Sequence, residues 1–223
     1  MTDIPTSPAA PAAPTRAPRW AQIASDVLSP LLLPTYAMTM AMWLTPLRVL
    51  PESTRLVATV AVALLTAMLP ALAIMLLIRL GLVGDRAISD RRQRPLPFSI
   101  AAVCYMGTAW MMHRFGAPGW LLMFFAGAAL ATLIDLCVTT AWKISAHTTG
   151  AAGVAGMMAW IAAHSTASPA TMLWLSITVM LTGLVGSARL ALGRHTAPQV
   201  LAGAAVGAAC VFISMQLTAL FDI

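Results

Sequence analysis

His147 and His195 are the side chains around which chemistry could be organised. Lys143 and Ser145 precede the first, and Arg189 and Arg194 precede the second. A third basic cluster, Arg86, Arg91, Arg92 and Arg94, lies upstream in GDRAISDRRQRP. Arginine offers a planar fork of donors that matches phosphate oxygens, and lysine offers a point charge. Imidazole can serve as a nucleophile or as a proton donor near neutral pH. Together these residue types describe chemistry on a phosphate group. No Asp/Glu cluster has metal-ligand spacing, so charge for an anion has to come from side chains and helix N-termini. No metal or cofactor is therefore expected.

Three segments far apart in sequence must be brought together, and composition says by what kind of scaffold. Of 223 residues, 60% are hydrophobic and 9% are charged, with a mean hydropathy of +0.85. A soluble domain of this size cannot cover so much apolar surface. A soluble enzyme, a disulfide scaffold and a disordered chain are excluded, and the chain reads as an integral membrane protein. A transmembrane helix needs about 20 apolar residues, and backbone polar groups in lipid must be bonded within their own segment. Seven runs meet this description: 27–47, 56–79, 96–113, 119–141, 147–165, 169–187 and 198–220. The expected fold is an all-α polytopic bundle of six to seven transmembrane helices, forming one domain over 20–223. Residues 1–19, rich in Pro and Ala, read as a disordered tail without the apolar core of a signal peptide. Pro30, Pro34 and Pro70 are expected to kink helices and not to break them. Cys104, Cys137 and Cys210 read as small apolar residues. Gly203 and Gly207, with Gly150, Gly153 and Gly156, mark close helix contacts.

Seven crossings return alternate breaks to the same side. The loop 80–95, the step at 142–147 and the loop 188–197 then share one face. His113 and His164 fall on the other, about 30 Å away, with Arg48, Arg55 and Arg114. The face bearing His147 and His195 carries the rest of the basic residues behind the net charge of +6. The positive-inside rule assigns that face to the cytoplasm.

These residues resemble the type 2 phosphatidic acid phosphatases, a family of integral membrane lipid phosphatases with motifs K-x6-R-P, P-S-G-H and S-R-x5-H-x3-D. Arg189, the five residues LALGR and His195 reproduce the spacing of the third motif. Ile144-Ser145-Ala146-His147 keeps the Ser and His of the second, and Arg94-Pro95 the end of the first. The resemblance covers about residues 85–210. It implies a metal-independent hydrolysis of a phosphorylated membrane lipid. His195 would attack phosphorus, His147 would protonate the leaving group, and Arg94, Arg189 and Ser145 would hold the phosphoryl oxygens. Bacterial relatives usually face this site outward, which opposes the assignment from charge.

The sequence departs from the family at four places. The first motif's Lys falls on Ala87, where Arg86 or Lys143 could substitute. The Pro and Gly of the second are Ile144 and Ala146, and the leading Ser of the third falls on Ala188. The final Asp is Gln199, an amide that can orient His195 but cannot stabilise an imidazolium by charge. If its NH2 donated to the ring, it would impose the wrong tautomer for attack. One alternative is therefore a family member that binds lipid phosphates without hydrolysing them. Another is a prenyltransferase-like protein, from the resemblance of the Asp85–Asp90 loop to an acidic diphosphate-binding loop, although no second such loop follows. Asp135, inside the fourth run, is either functional or a packing group. A nucleic-acid partner is not expected, and the oligomeric state is left open.

Overall fold

The computed structural model describes residues 18–84, 88, 90–164 and 168–221. Among these the chain is all-helical, without a strand. Helices α1 (Arg19–Val27) and α2 (Leu33–Leu44) lead into a short 3-10 turn at Pro46–Val49. Helices α3 (Glu52–Ala63) and α4 (Leu69–Arg79) are joined through a π turn at Leu64–Met68. Five further helices complete the bundle: α5 (Pro95–Arg114), α6 (Gly119–Ala141), α7 (Ala146–His164), α8 (Pro169–Ala191) and α9 (Ala197–Phe221).

Five rods are long and apolar enough to cross a membrane: Glu52–Arg79, Pro95–Arg114, Gly119–Ala141, Pro169–Ala191 and Ala197–Thr218. They coincide with five of the expected runs. The run 27–47 is corrected, because it is not one rod. The chain turns at Ser29, whose carbonyl accepts from the amides of Leu32 and Leu33, and Pro34 then occupies the first turn of α2. Pro30 thus falls in a break, not a kink. With 12 residues, α2 rises about 18 Å, well short of a hydrocarbon core of about 30 Å. Pro70 behaves as expected: the rod continues through it. Its ring would clash with the carbonyl four residues earlier, at Thr66, and the π turn widens the helix at that point. The expected tail over 1–19 lies mostly outside the described residues, but its boundary shifts, since α1 begins at Arg19.

The run 147–165 forms α7, of 19 residues. His147, Thr148, Thr149 and three glycines dilute its apolar character, and this helix is enclosed by the others. Met157 and Met158 are 0% exposed. Lipid tails are as apolar as leucine, so helices in a membrane are held by close packing and not by escape from water. Small residues provide it. A β-carbon on Gly156 would sit 2.8 Å from the Ala208 carbonyl oxygen, and one on Gly127 would sit 2.9 Å from that of Cys210. At Gly207 it would collide with the Thr149 carbonyl. The backbones of α6, α7 and α9 therefore pack with no room for a methyl group. The long α3–α4 rod instead turns Val57, Met68, Leu72 and Leu76 outward, as a lipid-facing helix does.

Candidate active site

The tight α7–α9 contact fixes where the polar ends of these helices meet. The Ser145 amide, just before α7, donates to the Gln199 carbonyl in the first turn of α9 at 3.4 Å. The Thr148 hydroxyl bridges the Ser145 and Val200 carbonyls, at 3.0 Å each. Arg94, just before α5, is 5% exposed. Its Nη1 donates to the Ile144 carbonyl at 3.0 Å, and its Nε to the Ile88 carbonyl at 3.1 Å. Ile88 holds that carbonyl in place with φ at 47°, a region that β-branched residues rarely enter. The starts of α5, α7 and α9 thus converge, and the positive ends of their helix dipoles favour an anion there before any side chain is counted.

The five-residue gap between Arg189 and His195 is a helix ending. The Arg194 amide donates to the Arg189 carbonyl at 3.0 Å, and the Gly193 amide to that of Leu190 at 2.9 Å. This is the Schellman arrangement, which needs a left-handed residue after the last turn. Gly193 supplies it, with φ at 62°. Arg189 therefore projects from the last turn of α8 while the chain doubles back to set His195 before α9.

Arg94, His147, Arg189 and His195 line one cavity of about 180 Å³. Ser145 lies behind its wall, 0% exposed, with no partner for its hydroxyl among the described residues. Lys143 is not part of the lining, though its charge reaches His195. Arg86 lies outside the described residues. Arg189 gives Nη1 to the Ser25 hydroxyl at 2.8 Å, while its Nε has no partner among the described residues. Of Ser145 and Arg189, only Arg189 lines the cavity, and its buried, unmatched Nε is a donor of the kind a phosphoryl oxygen accepts.

The amide of Gln199 settles the tautomer of His195. Its Oε1 lies 3.2 Å from the Thr196 backbone nitrogen and 3.2 Å from Nδ1 of His195. A backbone N–H can only donate, so the atom facing it is the amide oxygen. That same oxygen then accepts from the ring, so Nδ1 carries the proton and Nε2 keeps its lone pair. The amide NH2 is thus not the group that meets the ring, and the tautomer it would impose does not arise.

Burial, and then the charges of Arg189, Arg94 and Lys143, push His195 down to about 3, against an opposing contribution from Gln199. A free imidazole titrates near 6.5. As pH falls below about 6.5, the unfolded chain takes up a proton that the native site refuses. His195 therefore reduces stability by up to ~1.4 kcal/mol per pH unit as pH falls from about 6.5 towards 3. In detergent, the melting temperature should drop more steeply between pH 7 and pH 5 for wild type than for His195→Asn, which cannot titrate. Equal slopes would contradict this electrostatic picture.

One participant was missed from the sequence. Ser25 of α1 holds Arg189, and its backbone also bonds the ring of His147. Hydrophobicity gave no signal for it, because in α1 the small Ala21 and Ser25 are buried while the larger Trp20, Ile23 and Val27 are exposed. Asp135, which the sequence left between a functional and a packing role, lines the same cavity. Of the remaining suspects, Asp90 spends its Oδ1 on the Arg92 amide at 2.9 Å, and Asp85 lies outside the described residues. His164 stacks on Trp160 at 4.4 Å at the end of α7. No family model matches this chain, and no curated protein or solved structure does either.

Proposed function

We propose that this chain is an integral membrane phosphatase that hydrolyses a lipid phosphate monoester or diphosphate through a phosphohistidine, without a metal. It would cross the bilayer six or seven times, with α7 among the crossings, in a bacterial cytoplasmic membrane. The observation that carries the reading is the Gln199 oxygen, which leaves Nε2 of His195 unprotonated in a cavity walled by Arg94 and Arg189. Nε2 attacks phosphorus, and the bond from phosphorus to the lipid oxygen breaks. His147 gives that oxygen a proton. His147 then takes a proton from water, which attacks the phosphohistidine, releases phosphate and restores His195. Arg94, Arg189 and the three helix N-termini offset the charge that builds on the phosphoryl oxygens.

One feature favours a second reading, in which the site binds lipid phosphates without turning them over: Gln199 brings no negative charge to an imidazolium. A single experiment separates the two. Purified protein in EDTA is given phosphatidic acid, phosphatidylglycerophosphate and a polyprenyl diphosphate, and inorganic phosphate is measured. Release from at least one, with an acid-labile phosphoenzyme on rapid quenching, is expected. Saturable binding with neither product would establish the binding-only reading.

A further inference from the structure

The cavity that holds the two histidines also holds an acid that the proposed hydrolysis does not use. Asp135 of α6 is 2% exposed, lines the cavity, and has no partner for Oδ1 among the described residues. Its polar neighbours do not supply one. The Thr132 hydroxyl donates to the Ala128 carbonyl at 2.8 Å. The Thr149 hydroxyl hydrogen-bonds the Asp135 carboxyl group, and Oδ1 is still left without a partner among the described residues. Beyond the basic residues and threonines, much of the lining is apolar, with Phe98, Phe124, Val154 and Val211. An acceptor in such surroundings calls for a donor from whatever occupies the cavity.

We propose that Asp135 receives a hydroxyl group carried close to the phosphate of the bound lipid, so that the site selects hydroxyl-bearing lipid phosphates. This rests on the lipid-phosphate reading of the same cavity. An ammonium would also donate, but Arg94 and Arg189 line the cavity and repel a second cation. A prenyl phosphate has no donor beside its phosphate and leaves Oδ1 unmatched.

The test uses two lipids differing by one oxygen: 1-oleoyl-glycerol-3-phosphate and its 2-deoxy counterpart. Binding to the purified full chain in micelles is measured by calorimetry. Wild type should bind the hydroxyl form about tenfold more tightly. Asp135→Leu should bring the pair within about twofold by weakening only the hydroxyl form. Asp135→Asn retains the shape and one acceptor and should keep an intermediate preference, so the proposal stays testable if the leucine variant does not fold. Equal wild-type affinities would overturn the proposal. So would a parallel loss for both lipids in the variants, which would make Asp135 a support for Arg94. If wild type binds neither lipid, the phosphate site itself fails, and this proposal with it.

Discussion

His195→Ala is expected to lower metal-free phosphate release by at least about a thousandfold, the scale on which enzymes lose rate when a covalent nucleophile is removed. Water would then have to attack phosphorus directly, with only the positive surroundings left to help. Because Arg94 and Arg189 remain, orthovanadate affinity should change by less than about tenfold, and substrate binding should survive. The phosphoenzyme should disappear entirely. His147→Ala should behave differently. It removes the proton donor and leaves the nucleophile, so its deficit should shrink for substrates whose leaving group needs no proton, such as p-nitrophenyl phosphate. The His195 deficit should not shrink in that way. Rates unchanged by His195→Ala would end the catalytic reading, whatever the protein binds.

How far the sequence foretold this site depends on the reach of each signal. Apolar runs between prolines and glycines are local, and α5 to α9 follow the expected boundaries closely. The spacing from Arg189 to His195 is local too, since one helix ending and Gly193 produce it. What could not be read is whatever depends on a neighbour in space. The run 27–47 has enough apolar residues for a crossing, yet Pro30 and Pro34 stand a turn apart, and together they divide it. The first piece swings over so that Ser25 reaches Arg189. Whether Asp135 serves function or packing could not be read from its own helix. What counts is that α6 sets it beside α7, facing Thr149. The role of Gln199 turned on which end of its amide faces the ring, and only the position of the Thr196 amide decides that.

That position leads to the second large effect. Gln199→Leu removes the acceptor that keeps the proton on Nδ1 and leaves the Thr196 amide unmatched. Either ring nitrogen can then carry the proton, and turnover should fall about a hundredfold or more, as when a histidine base is presented in the wrong tautomer. Gln199→Glu has the length and shape of the native side chain, so one carboxylate oxygen can keep both 3.2 Å contacts. It adds the negative charge the site lacks. Burial first, and then Arg189, Arg94 and Lys143, hold His195 near 3, and a carboxylate beside Nδ1 opposes those three charges. It makes Nε2 more basic and stabilises the imidazolium character that develops during attack. Turnover should rise about tenfold, corresponding to one pKa unit or ~1.4 kcal/mol. Gln199→Asp, one methylene shorter, should gain less because its oxygen must reach further. A rise with Glu and a fall with Leu together require that residue 199 acts through the ring of His195. If Leu were tolerated, His195 would not depend on its tautomer and could not be the attacking group. If Glu lowered turnover while the fold and vanadate affinity were preserved, the neutral amide would itself be the functional choice, and the binding-only reading would gain its strongest support.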